Sequence, residues 1–312
     1  MNTNHLEYII VISEEKTLLR ASEKLFISPS ALSQAVSKLE GELNTKLFFR
    51  SKDGWEPTVA GDIYINMARD IINLQRRAYT EISIATDSFS STLTIGTSPG
   101  GMATMLATAF PAFNARFPNI KINLLEARIF DIVKYVEERK VNLAFISASD
   151  IDVFTSAHTC TQLISSENML LAVPKSYPPV TTKPPLVRGD YPTVDLQQFR
   201  DADFMLMSPG TTVRHLVDQL FAAAGFAPSI IFEASSMQTI CAFAKTGYAA
   251  TFLPELYVQP SSETNYYKLD SAPQWNRFVT YHAKETLSAP EKYLLTLARS
   301  FYKDANNLSV LL

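Results

Sequence analysis

Apolar residues recur at helical spacing from the start of the chain. Leu6, Ile9, Ile10 and Ile12 mark a first helix that closes near 13–17. Thr17 can cap a second helix carried by Leu18, Ala21 and Leu25. The short turn Phe26-Ile27-Ser28 leads into a third, with Ser28 at its N-cap and Pro29 as its first helical residue. Ala31, Leu32, Val36, Leu39 and Leu43 supply that helix's buried stripe. Residues 46–51 then read as a strand, Asp53-Gly54 as a tight turn and Trp55-Glu56 as the return. Three helices and a small hairpin predict a winged helix-turn-helix over 1–58.

A long helix without internal proline follows over about 58–87. Met67, Ile71, Leu74, Ala78 and Ile82 are spaced 4, 3, 4 and 4, a seam suited to packing against another helix. It predicts a dimer contact, because only a partner covers so long a helix between two small bodies. Ser88–Thr92 is a polar break, so 59–90 is expected to be a linker and dimerisation helix with a hinge.

From Leu93 the pattern changes to alternating strands and helices. Strands at 93–96 and 120–125 flank a helix at 102–117; a helix at 130–139 and a strand at 141–147 complete an open βαβαβ unit. A second unit opens at 169–174 and continues through strands at 204–207, 230–233 and 249–253 with helices at 213–224 and 237–246. The proline-rich piece 177–192 must be loop. The tail from Phe278 to Tyr302 reads as strand then helix and returns to the first unit. The expected fold is α/β: a winged helix-turn-helix, a long linker helix, then a two-lobed periplasmic-binding-protein-like domain over 91–312. Lobe I takes about 91–165 and 269–303, lobe II about 166–268.

Composition agrees with this without deciding it. Of 312 residues, 46% are hydrophobic and 19% charged, ordinary for a globular chain. No run approaches the ~18 apolar residues of a membrane span, and no basic segment with an apolar run opens the chain. Cys160 and Cys241 form no CxxC or Cys/His cluster and read as reduced thiols, which points to the cytoplasm. Net charge of -3 weighs against nucleic acid. Within 1–58, Lys16, Arg20, Lys24, Lys38, Lys46, Arg50 and Lys52 meet Glu7, Glu14, Glu15, Glu23, Glu40, Glu42, Asp53 and Glu56. Distribution matters more than the sum, since Arg50 and Lys52 fall together in the wing.

The chemistry expected of the third helix is base reading. Short polar groups near its start, Ser30, Ser33 and Gln34, reach base edges in a major groove, and Gln34 can bond adenine twice. Ser28 and Pro29 open the helix and belong to the same DNA-facing set. Lys38, Arg50, Ser51 and Lys52 would hold phosphates, which position without reading sequence. Glu40 is expected to be an internal hydrogen-bond or charge partner. In the α/β lobes, ligands bind at the carboxyl ends of strands. There Thr97-Ser98-Pro99-Gly100-Gly101 opens a helix and offers free N–H groups to an anion. Ser208, Thr211 and Thr212 occupy the matching place in the second lobe, with Arg128, Ser147 and Gln238 as further candidates. These loops suit a small carboxylate or other small anion. No phosphate loop, dinucleotide fingerprint or HExxH occurs, and His5, His158, His215 and His282 are scattered, so no catalytic, metal or cofactor site is expected.

The run Thr17-Leu18-Leu19-Arg20-Ala21-Ser22-Glu23-Lys24-Leu25, then Ser28-Pro29-Ser30-Ala31-Leu32-Ser33, Leu39-Glu40, Leu47-Phe48 and Arg50, resembles the LysR-type transcriptional regulators. Thr58-Val59-Ala60-Gly61 is similar to that family's turn into the linker helix. The resemblance extends through Phe113–Pro118, Asn142-Leu143-Ala144, Ala224-Gly225-Phe226 and Phe252-Leu253-Pro254. Departures fall at Pro29, where members often carry Gln, at Gln34, where they often carry Arg, and at Asn44, where Gly is usual. The resemblance implies a sequence-specific regulator controlled by a small-molecule effector between the lobes. It also implies a homodimer or tetramer on imperfectly palindromic promoter DNA, with RNA polymerase as a further partner and no membrane.

Overall fold

The computed structural model describes residues 4–51, 54–86, 90–99, 101–151, 154–178, 191–259 and 261–307. Lys52, Asp53 and Gly100, and parts of the expected linker and proline-rich loop, lie outside the described residues. The chain divides into two compact units, Met1–Thr92 with Asn119–Lys121, and Leu93–Pro118 with Ile122–Leu312.

In the first unit, α1 (Asn4–Glu15) buries Leu6, Ile9 and Ile12 on one face. Thr17 caps α2 (Leu18–Leu25) by accepting from the Arg20 N–H at 3.4 Å. That helix stops at Phe26, which is left-handed at φ 55. Ser28 caps α3 (Pro29–Glu42), its Oγ accepting from the Ala31 N–H at 3.2 Å. Just past the helix, Asn44 sits at φ 50, the left-handed conformation that asparagine tolerates best after glycine. The wing is an antiparallel pair, β1 (Phe48–Ser51) and β2 (Gly54–Pro57), with Arg50 opposite Trp55. Ile9, Ile12, Ala21, Leu32, Val36, Leu39, Leu47 and Phe48 form one core, which Ile65 of α4 (Val59–Ala85) closes. Two members of the expected α3 stripe depart from this. Ala31 and Leu43 are exposed, because they lie at the helix ends, beyond the footprint of α1 and α2.

Thr58 joins wing to long helix. Its Oγ1 accepts from the Gly61 N–H at 3.0 Å and donates to the Lys46 carbonyl at 2.7 Å. Gly61 lies so close to β1's approach that a Cβ there would stand 2.0 Å from the Leu47 carbonyl oxygen. Farther along α4, Met67, Leu74 and Ile82 are 44%, 64% and 47% exposed, and Ala78 is exposed too. Most of the expected seam is thus uncovered by this chain; Ile71 is half-buried.

After α4 come β3 (Ser91–Thr97), α5 (Ala103–Arg116), β4 (Ile120–Glu126), α6 (Ile129–Glu137) and β5 (Leu143–Ala148), all but the first residues of β3 and β4 in the second unit. Next come β6 (Thr159–Pro174), β7 (Thr193–Val194), β8 (Asp203–Met207), α7 (Thr212–Ala224), β9 (Ser229–Ala234) and α8 (Met237–Lys245). The chain ends through β10 (Thr251–Pro254), β11 (Thr264–Leu269), β12 (Gln274–His282) and α9 (Ala289–Asn307). The first lobe's sheet runs β4-β3-β5-β12, with β3 and β5 parallel and β12 antiparallel to β5. Strand β6 spans both lobes. Its first part, Thr159–Asn168, pairs with β12, and its last part, Met169–Pro174, pairs with β10 and β11. Strands β8 and β9 are parallel, and a bridge from Phe204 to Ala250 ties them to the second lobe's sheet. Both crossing strands start earlier than the sequence pattern indicated, at 159 rather than 169 and at 274 rather than 278; β11 was not anticipated at all.

The close approach at Gly61 carries a stability test. Gly61→Ala forces a methyl into a backbone carbonyl and is expected to destabilise the chain by about 1–3 kcal/mol. Gly41→Ala meets nothing within 4 Å and is expected to be neutral or slightly stabilising by helix propensity. Urea unfolding of the two variants checks this, and equal midpoints would contradict the packing described.

Candidate functional site

Ser30, Gln34 and Lys38 stand four residues apart along one line of α3, and all three are exposed. Ser28 and Ser30 approach each other, Oγ to Oγ, at 3.1 Å, so both hydroxyls sit together at the helix start. Pro29 is exposed beside them, and Ser33 is half-buried on the flank of the same row. No described residue bonds the side chain of Gln34 or Lys38. Gln34 and Lys38 can therefore meet a groove without first breaking a bond to a described residue, while Ser28 and Ser30 are already bonded to each other and Ser28 to the Ala31 N–H.

The wing is built differently. Glu40 of α3 buries a carboxylate whose side chain is 2% exposed. Its Oε1 accepts from the Leu47 N–H at 3.0 Å and the Phe48 N–H at 3.4 Å, and its Oε2 from Lys46 Nζ at 2.8 Å and Arg50 Nη2 at 3.2 Å. Burial alone would raise its pKa. The hydrogen bonds from Lys46, Leu47 and Phe48 and the Lys46 charge outweigh that and hold it below the ordinary value. Arg50 Nη2 also donates to Ser37 Oγ at 3.3 Å, and the guanidinium lies 4.4 Å above the Trp55 ring. Arg50 is therefore in a salt bridge and stacked, yet 38% of its side chain remains exposed. Among the described residues its Nε and Nη1 have no partner. Ser51 donates from Oγ to the Gly54 carbonyl at 3.2 Å, closing the wing's turn. Sequence reasoning gave Glu40 an internal role but missed Ser37, Lys46 and Trp55 as the groups that share or hold the wing's charge. Partners ten or thirteen residues apart, across helix and strand, leave no periodic signal.

In the second unit, Thr97 is buried at the end of β3 and Ser98 half-buried just after it. The Gly101 N–H donates to the Ser98 carbonyl at 2.9 Å. A Cβ on Gly101 would stand 2.7 Å from Ser98 Oγ and 3.2 Å from Thr97 Oγ1, so glycine leaves those hydroxyls their room. Helix α5 follows with no side-chain cap, which leaves its first N–H groups for another acceptor. The second lobe's loop is more occupied. Thr211 caps α7, accepting from the Arg214 N–H at 3.2 Å, and donates its own hydroxyl to the Ser208 carbonyl at 2.9 Å. Ser208 and Thr212 are half-buried beside it, and α7 lies against β5 of the first lobe. Ser147, near the end of β5, is half-buried opposite Arg277. Arg128 pairs with Asp131 at 3.1 Å on a side chain 84% exposed. Gln238 is exposed and accepts from Ser236 Oγ at 3.0 Å. Thr97, Ser98 and Gly101 thus lie together at the end of β3, while Thr211, Arg128 and Gln238 have local partners.

Among the described residues no group of histidines, cysteines and carboxylates is arranged to hold a metal, and no helix is long and apolar enough to cross a membrane. Burial pushes the Cys241 thiol up to about 11, away from the reactive thiolate.

Two family models match the chain: "Bacterial regulatory helix-turn-helix protein, lysR family" over 3–62 and "LysR substrate binding domain" over 86–302. An uncharacterised HTH-type regulator of Bacillus subtilis, YcgK, is 26% identical over 97% of this chain and 95% of its own length. The nitrogen assimilation regulatory protein nac of Escherichia coli is 29% identical, covering 82% of this chain and 79% of that protein. Among solved structures, full-length OxyR from Pseudomonas aeruginosa superposes with a TM-score of 0.64 at 18% identity, covering 99% of this chain and 95% of that one.

Proposed function

The chain belongs to the LysR family of transcriptional regulators, with a DNA-binding helix-turn-helix and an effector-binding domain, and we propose how its residues divide that work. Helix α3 enters the major groove of promoter DNA, where Ser30, Ser33 and Gln34 meet base edges while Ser28 and Pro29 set the helix start. Lys38, Arg50, Ser51 and Lys52 contact phosphates and fix the register. The observation that carries this reading is the exposed line Ser30-Gln34-Lys38, in which Gln34 and Lys38 have no side-chain partner among the described residues, next to an arginine whose Nε and Nη1 have none there either. The domain's slight acidity does not oppose it, because Lys38 on that line and part of Arg50 beside it lie exposed.

The protein acts in the cytoplasm as a homodimer or tetramer joined through α4, whose exposed Met67, Leu74, Ala78 and Ile82 support a helix–helix seam. A small carboxylate or other small anion binds at the carboxyl end of β3, on Thr97, Ser98 and the loop through 100–101 before the uncapped α5. Ser208, Thr211, Thr212, Ser147, Arg128 and Gln238 complete the candidate set from the other strand ends and loops. RNA polymerase is the further partner implied by the family. A coupling of about 1–3 kcal/mol between effector and DNA would be enough to switch the response. The domains divide at 1–58, 59–90 and 91–312, the last into lobe I at about 91–165 and 269–303 and lobe II at about 166–268.

Gel shift with the DNA upstream of the protein's own coding sequence tests the reading of α3 and the wing. Arg50→Ala is expected to weaken binding to every sequence. Gln34→Ala is expected to lose about tenfold or more of the preference over random DNA, in line with ~1–3 kcal/mol for a bidentate base contact. Equal losses on both DNAs from both variants would sink the division of roles. For the ligand, a thermal-shift screen of the full chain against small carboxylates and inorganic anions should give at least one stabilising compound whose shift shrinks in Ser98→Ala. A shift that is the same in that variant would remove Ser98 from the site.

A further inference from the structure

The carboxylate of Glu40 does more than fill a gap between helix and wing. One oxygen takes the backbone N–H groups of Leu47 and Phe48, where the chain enters β1. The other takes both Lys46 and Arg50, the cations on either side of that entry. Arg50 is fixed at three points: by Glu40, by Ser37 Oγ on the same helix, and by the face of Trp55 on the opposite wing strand. Each anchor except Trp55 belongs to α3, the helix that carries Ser30, Gln34 and Lys38. The arginine's position is therefore referenced to α3 as well as to its own hairpin.

Resting on the reading that α3 and the wing bind DNA, we propose that Glu40 is a positioning residue for recognition, which touches no DNA but fixes Arg50 and tempers the wing's charge. Two consequences follow from charge and entropy. A long side chain already held in place loses less rotamer freedom on docking, so a register-specific complex gains from the anchor. A complex with random DNA, held by mobile and hydrated cations, gains nothing from it. Meanwhile a carboxylate shared by Lys46 and Arg50 lowers the cationic charge that non-specific DNA would feel. Glu40 thus widens the gap between specific and random binding from beneath the surface.

Glu40→Gln tests this, because the amide oxygen can still accept from Leu47 and Phe48 while the charge is gone. Affinities of the full chain for its own upstream DNA and for a random duplex of equal length would be measured across a salt series. The variant is expected to bind upstream DNA about three- to tenfold more weakly and random DNA as tightly or more so. Its log–log salt slope should be steeper by about 0.9 for each cation released from the carboxylate. A parallel loss on both DNAs with an unchanged slope means that Glu40 only supports the fold, and overturns the proposal. Should Glu40→Gln fail to fold, Arg50→Lys keeps the charge but cannot reproduce the stacked guanidinium bonded to Ser37 and Glu40. It is expected to lose specific affinity several-fold with random binding unchanged, and specific affinity equal to wild type would overturn the proposal. Wild type without preference for its upstream DNA would instead remove the DNA reading of this surface, a result distinct from either variant outcome.

Discussion

A buried carboxylate must be satisfied or it unfolds what surrounds it, and the DNA-facing end of this protein is arranged around satisfying one. Leaving a buried carboxylate without donors is costly, so the groups around Glu40 are held to it even though Lys46 and Arg50 also reach solvent. Four donors converge on it, two from the backbone entering β1 and two from side chains. The outcome is a wing whose root is pinned to the recognition helix. Immediately below, Thr58 holds the Lys46 carbonyl and the start of α4, and Gly61 lets that helix come within reach of Leu47. Recognition helix, wing and linker helix are tied together within residues 40–61.

The effector unit solves a different problem with non-local pairing. Strand β6 belongs to both lobes, and β12 runs antiparallel beside its first part, with a register shift between Arg277 and Phe278. Glu167 on β6 and Arg277 on β12 are ion-paired there and both buried, and Glu167 also accepts from the Leu256 N–H at 2.7 Å, in the turn after β10. Elements that line the second lobe's sheet are in this way bonded directly to the strands shared with the first. A ligand at the strand ends, as proposed above, would act on lobes joined through the continuous strand β6.

The parts of this arrangement that depend on neighbours in sequence were legible in the sequence. Thr17 and Ser28 cap helices because a hydroxyl three residues before an N–H is a local geometry, and Asn44 takes a left-handed cap for a reason equally local. The α/β order and most strand positions followed from periodicity. What depends on distant partners did not. The first part of β6, Thr159-Cys160-Thr161-Gln162, has no apolar alternation, and only pairing with β12 makes it a strand. In the candidate site, Ser30, Gln34 and Lys38 could be aligned by helical arithmetic. That Arg50 is already held by Glu40, Ser37 and Trp55 could not, since those partners meet only after helix and hairpin have packed.

In the function proposed above, two copies of α3 joined through α4 read DNA from one face while the wings grip phosphate. Hydroxyl-radical footprinting of the upstream DNA tests it most directly. Two protected patches on the same face of the duplex, centred about one helical turn (~10 base pairs) apart, are the expected result. A single isolated patch, or uniform protection with no helical phase, would contradict the account.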